Sequence, residues 1–427
     1  MVDRTPQQFG GVPDNVTDST EAIQAAIDAW QPGDKVVIAG GIFRTSAKLT
    51  IAAGGLLLGG DGGIRARMGH PSGSALLEVT GEGVRLDGDG LLLDQNNIMV
   101  SGSSIVAKAP GLEVGNLLSR QTQQAFLRLD AGTTDLELVG CDHEGRGYGV
   151  ISFDAAGLTR ITIRDCLFVH TGDGTAGDGV QLNCPTHGAS EVSVIGCTAR
   201  GYIGEASQQG MGFGFARVTD GRIIGCRAED CEGDGFHFEH ESHRWLCADL
   251  QAIDIGLPEP AGGNGSGLIA YDSDQLKVVL VAARNCGFHG IALSGQGKSG
   301  VASQLRQGGL IERCTVDTTR RDGIHLTAQQ GFRIDRNRVR DPSLGNPGQF
   351  AGIRIGRQGD TSLENSDGIG SGNVVIESGS TTPLGAIVIR PESIDVTIDG
   401  VSGNGSVGEP FSDGTYWSDG TGWLDEA

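Results

Sequence analysis

The sequence predicts an all-β fold, a right-handed parallel β-helix solenoid opened by a short N-terminal capping helix. Three observations predict it. First, seven segments align on one glycine each, at Gly179, Gly212, Gly235, Gly267, Gly290, Gly323 and Gly352, spaced 23–33 residues apart, which is the spacing of solenoid coils. After each glycine the first residue is apolar (Val180, Phe213, Phe236, Leu268, Ile291, Ile324, Ile353) and so is the third (Leu182, Phe215, Phe238, Ala270, Leu293, Leu326, Ile355), while the second and fourth vary. That is the period-two signature of a strand with one buried face. Second, LELVGC, ITIRDC, VSVIGC, RIIGC and GLIERC place Cys141, Cys166, Cys197, Cys226 and Cys314 at one equivalent position, taken by Val281 and Asn337 in other coils. A slot shared with valine is a small interior one, filled by free thiols that pack as small hydrophobes. Third, 72 glycines against 13 prolines, with no three-residue period, imply many tight corners and exclude collagen.

Residues 1–50 read as an N-terminal cap. In TDSTEAIQAAIDAW, Asp18 is placed to cap a helix with Glu21 three residues on, and Ile23, Ala26, Ile27 and Trp30 form one apolar stripe that would seat on the first coil. Residues 51–400 carry the coils. Their crossovers are expected to be right-handed, with the register glycines making the corners. Residues 401–427 lose the register and concentrate Phe411, Tyr416, Trp417 and Trp423. They read as a lower cap or subunit contact, with a sugar-stacking platform as the alternative.

A formal charge of −21 argues against a nucleic-acid partner, which needs a basic face. It also disfavours an acidic polymer unless a cation or a local arginine cluster intervenes. No apolar run reaches the roughly 18 residues of a membrane span, so no membrane partner is expected, and MVDRTPQQFG lacks the pattern of a secretory signal. The expected setting is extracellular or virion-associated.

FGGVPDNVTDSTEAIQAAIDAW followed by KVVIAGGIFR resembles the opening of pectate-lyase-like β-helix proteins, a group that includes phage tailspike depolymerases, polygalacturonase-type hydrolases and alginate epimerases. The resemblance implies a polysaccharide or oligosaccharide substrate and, from the tailspike habit, a homotrimer. It carries no specific reaction. YGVISFD at Tyr148–Asp154 keeps the Tyr-Gly of the epimerase motif but lacks its Asp-Pro-His. GDGVQLN and GFHGIALSG resemble hydrolase strands, but they lie four coils apart and the Asp-Asp pair is missing.

If Phe236 and Phe238 point inward, His237 and Glu239 point outward. With coils ~4.8 Å apart, Glu239 then falls beside Ala216 and Tyr271, and Arg217, His240 and Asp272 form an adjacent row. Gln181 and Asn183 come from the coil above. This polar groove suits glycosidic hydrolysis with Glu239 and Asp272 as the paired carboxylates and His237 and Tyr271 assisting. It also suits β-elimination or C5 epimerisation of a uronate by His237, Tyr271 and Arg217, or glycan gripping by a non-catalytic adhesin. Hydrolysis leads, with Arg217, Gln181, Asn183, His240 and the more distant His325 and Arg354 holding sugar units. A solvated polar face is the plainer reading of the same row. Asp178, Asp234 and Asp322, each before a register glycine, read as turn residues. His237, Glu239, His240 and His243 offer metal-ligating atoms, but alternation along a strand separates them, so neither metal nor cofactor is expected.

Overall fold

The computed structural model describes residues 2–376, apart from position 89 and the segments 99–101, 173–175, 205–209, 258–264, 296–305, 345–349 and 357–367, together with the backbone of five short strands beyond 376. The chain divides into two compact units, Met1–Glu205 and Ala206–Ala427. Each is built from three parallel sheets that receive one strand per coil. In the first unit, sheet 1 runs from Asp3–Arg4 to Ala189–Ile195, sheet 2 from Asp14–Asp18 to Thr198–Arg200, and sheet 3 from Leu49–Ile51 to Val180–Asn183. In the second unit three parallel sheets begin at Arg222–Ile224, Arg227–Glu229 and Phe213–Ala216, numbered 1, 2 and 3 in the same order. Thr20–Asp28 forms a short helix, and no helix among the described residues is long and apolar enough to cross a membrane.

The apolar ladder pairs as the sequence pattern requires. In the second unit Phe236 pairs with Leu268, Leu268 with Ile291, Ile291 with Ile324 and Ile324 with Ile353. The rings of Phe213 and Phe236 stack at 5.3 Å, those of Phe215 and Phe238 at 5.4 Å, and buried Trp245 wedges against Phe215 and Phe238. The slot beside sheet 1 is also interior: all nine cysteines are free and buried, and burial pushes the Cys314 thiol up to about 12. Where the slot turns polar its groups are satisfied, because Asn337 Oδ1 accepts the Cys314 N–H at 2.9 Å and Asn337 Nδ2 donates to Ile311 O and Asn373 Oδ1 at 3.0 Å each.

Two expectations change. The register glycines serve close approach between coils: a Cβ on Gly235, Gly267 or Gly290 would lie 2.6 Å from the carbonyl oxygen of the next register glycine. Left-handed corners fall elsewhere, on the residue just before the interior slot, such as Gly225, Asp249, Leu280 and Arg313, and on Arg217, His240 and Asp272 at the strand ends. The helix starts one residue later than expected. Ser19 is the N-cap, and Asp18 ends a strand, where its Oδ1 accepts from Thr20 N at 3.1 Å and Thr20 Oγ1 at 2.6 Å. Ile23, Ala26 and Ile27 are buried as the stripe predicts, with Ala22 beside them, while Trp30 lies past the helix and donates from Nε1 to Asp34 O. The side chains of Phe411, Tyr416, Trp417 and Trp423 lie outside the described residues.

Candidate functional site

The outward column of sheet 3 that holds His237 is largely covered in the second unit. His237 is 1% exposed, and its column neighbours Ile269, Ala292 and Arg354 are also buried. This corrects the expected open groove around His237. A buried imidazole needs partners, and the principal one is Asp234, a residue expected to be a turn aspartate. Asp234 is itself buried. Its Oδ1 accepts Gly265 N at 2.9 Å and Ser266 N at 2.7 Å, and its Oδ2 meets His237 Nδ1 at 2.7 Å. The other ring nitrogen, Nε2, lies 3.2 Å from Glu239 Oε2. Burial alone would make the imidazolium hard to form, but Asp234 and Glu239 outweigh it and raise His237 to about 9. The Glu239 side chain is 16% exposed and so reaches solvent at the strand end. The half-buried Tyr271 ring sits 5.6 Å from that of His237. Burial, then the negative charges of Asp234 and Glu239, push its phenol above the usual range, against a smaller opposing pull from Arg321.

Asp272 lies on the neighbouring coil as expected, and its partly exposed carboxylate is engaged by an arginine. Its Oδ1 accepts from Nε of the buried Arg306 at 2.7 Å and also from Nη2, and the same guanidinium lies 3.6 Å from Asp274. Arg217 and His240 occupy left-handed corner positions with exposed side chains. Arg217 N donates to Glu239 O at 3.0 Å, and His240 Nε2 is 3.8 Å from Glu239 Oε1. Gln181 and Asn183 belong to the first unit, where both are half-buried on Val180–Asn183.

Further along the same sheet a second polar cluster repeats the Asp-Gly-X-His pattern. Asp322 is buried; its Oδ1 accepts Ala351 N at 2.7 Å and Arg354 Nε at 2.9 Å, and its Oδ2 lies 3.2 Å from His325 Nδ1 and 3.6 Å from His289 Nδ1. Burial would raise the carboxyl, but the hydrogen bond to His325 and the charge of Arg354 outweigh it and hold Asp322 well below the usual carboxylate range. Burial, with His325 and the guanidinium groups of Arg321 and Arg354 beside it, lowers His289 to about 3, against the pull of Asp322, so it is a neutral imidazole. Arg321 stacks over Phe288 at 3.7 Å. Asp234, Asp322, His289, Arg306 and Arg321 are the residues that sequence reasoning missed. The signal that could have found the first three was the Asp-Gly-X-His repeat at 234–237 and 322–325, read together with the His-Gly of Gly287–Gly290.

The first unit holds a groove of about 470 Å³ that includes Arg65, Asp94, Arg120 and Glu144. These residues are register partners on sheet 2 and neutralise one another, with Arg65–Asp94 at 2.7 Å and Arg120–Glu144 at 3.4 Å. The groove reads as an outer charge ladder.

Comparison of the structure with solved proteins places the architecture. The family 28 exopolygalacturonase of Yersinia enterocolitica matches with a TM-score of 0.54 and 13% identity, over 95% of this chain and 79% of that one. The surface adhesin PfbA of Streptococcus pneumoniae matches with 0.51 and 13%, over 100% and 98%. A double mutant of the periplasmic alginate epimerase AlgG matches with 0.52 and 13%, over 89% and 82%. The chain is a right-handed parallel β-helix. At these identities the likeness establishes the fold alone, a fold used by hydrolases, epimerases and adhesins. No family model and no curated protein matches the chain.

Proposed function

We propose that the second unit acts on a uronate-containing polysaccharide by β-elimination, with Glu239 as base and Tyr271 as acid. One observation carries the reading: Glu239, which reaches solvent, sits 3.2 Å from a buried imidazolium, while the second carboxylate that hydrolysis would recruit, Asp272, is equally exposed but clamped by the buried Arg306. Glycoside hydrolysis uses two carboxylates across the scissile bond. Elimination uses one base, one acid and a cation facing the uronate carboxylate. Glu239 takes the C5 proton, the C–H electrons form the C4–C5 double bond, and the C4–O bond breaks toward the leaving sugar, whose oxygen takes the Tyr271 proton. Solvent then carries the proton from Glu239 back to Tyr271. The raised phenol keeps that proton available at neutral pH. Arg321, which acts electrostatically on Tyr271, offsets the substrate's carboxylate and supplies the local cation that so acidic a chain needs to hold an acidic polymer. His237 and Asp234 are positioning residues that orient Glu239.

Incubation with polyuronates and neutral glucans, following reducing ends and unsaturated-uronate absorbance together, tests this. Both signals on a polyuronate support it. Reducing ends alone mean hydrolysis, and binding without either signal means an adhesin; each overturns it.

A further inference from the structure

We propose that His289, Asp322 and His325 form a binding site for one divalent first-row transition ion of the zinc class. One donor atom from each residue lies within 4.8 Å of the other two. Asp322 Oδ2 stands 3.6 Å from His289 Nδ1 and 3.2 Å from His325 Nδ1. A tetrahedral ion ~2.1 Å from each donor sets its ligands ~3.4 Å apart; the two sides that meet at Asp322 match that span, and the third lies within 4.8 Å. Two imidazoles and one carboxylate are the donors such ions prefer over calcium or magnesium, which favour oxygen ligands.

The carboxylate is already aimed. Ala351 N and Arg354 Nε hold Asp322 Oδ1, which turns Oδ2 to the two rings, the kind of outer support that orients metal-binding side chains. His289 is buried, yet its Nδ1 has no hydrogen-bond partner among the described residues. A buried ring nitrogen without a partner costs free energy, and a cation at the triangle would satisfy it. Gly290 N donates to Asp322 O, so His289 and Asp322 come from successive coils, ~4.8 Å apart in a parallel stack. The ion would clip one coil to the next. This inference does not depend on the reaction assigned to Glu239 and Tyr271.

The test is isothermal titration of the full chain, stripped with chelator, with zinc chloride. One ion per chain at micromolar affinity or tighter is expected, and His289→Ala and His325→Ala should each weaken binding by more than the roughly 10–100-fold that loss of an outer partner costs. His187→Ala, at an exposed histidine of the first unit, should leave binding unchanged. Cobalt(II) added to the unmutated chain provides a readout that survives a misfolded variant: visible bands of a low-coordinate nitrogen–oxygen site are expected. No zinc binding, full binding retained by both ligand variants, or a cobalt spectrum like that of the aqueous ion would each overturn the assignment.

Discussion

Replacing Asp234 with asparagine should remove the charge that keeps His237 protonated while conserving the shape of the site. The asparagine carbonyl can still accept from Gly265 N and Ser266 N, which Asp234 Oδ1 holds at 2.9 and 2.7 Å, so the corner of the next coil keeps its acceptor. What is lost is the anion 2.7 Å from His237 Nδ1. A histidine held at about 9 against an ordinary 6.5 favours its charged form in the fold by about 3 kcal/mol. Because the folded value is raised, that stability is fully present below about pH 6.5 and is lost as pH rises through about 9. In Asp234→Asn, burial opposes a single remaining anion and His237 falls to its ordinary range or below. The variant should therefore be less stable than the parent by about 3 kcal/mol near pH 6, and the gap should close toward zero by about pH 10, where both carry neutral His237. Urea unfolding at the two pH values measures it, with the fluorescence of Trp245, packed on Phe215 and Phe238, reporting on this region. Groups shared by both proteins cancel in the difference. A gap that stays the same at both pH values would refute the reasoning.

Glu239→Gln and Tyr271→Phe should each lower kcat on a polyuronate about 10²–10⁴-fold with KM little changed, as steady-state kinetics would show. Asp272→Asn should keep kcat within a few-fold but cost about 2–4 kcal/mol in urea unfolding, because the buried Arg306 loses its nearest carboxylate. Gly290→Ala would place a Cβ 2.3 Å from Val316 Cγ1 and 2.6 Å from Gly323 O; the overpacking should lower stability by about 3 kcal/mol or more, seen as a lower thermal midpoint. The nine buried thiols should resist an aromatic disulfide reagent in the native protein and all react once it is unfolded, since burial raises thiols such as Cys286 and Cys314 to about 12.

The fold was legible because the sequence writes its register twice, in the apolar pairs after each glycine and in the cysteine slot before each second sheet. Val281 and Asn337 were placed correctly in that slot, and the structure adds Asn373. The site was legible only in part. Alternation tells which side of a strand a residue faces but not whether that side is covered, so His237 was assigned to the correct face and wrongly left in solvent. Asp-Gly statistics describe local turns. Asp234 and Asp322 instead serve backbone N–H groups of a following coil, through Gly265, Ser266 and Ala351, and irregular coil lengths hide such long-range partners. Arg306 was invisible for the same reason, since it reaches Asp272 across 34 residues.

The central claim is that Glu239 removes a carbon-bound proton, with Asp272 taking no part in activating water. Mass spectrometry of oligosaccharides released from a polyuronate in oxygen-labelled water tests it most directly. Products that are one water lighter than the hydrolytic ones at the newly formed non-reducing end, and carry no label from bond cleavage, are the result this account predicts. A full-mass, saturated non-reducing end, with one labelled oxygen per cut at the new reducing end beyond what that end exchanges with water, would contradict it.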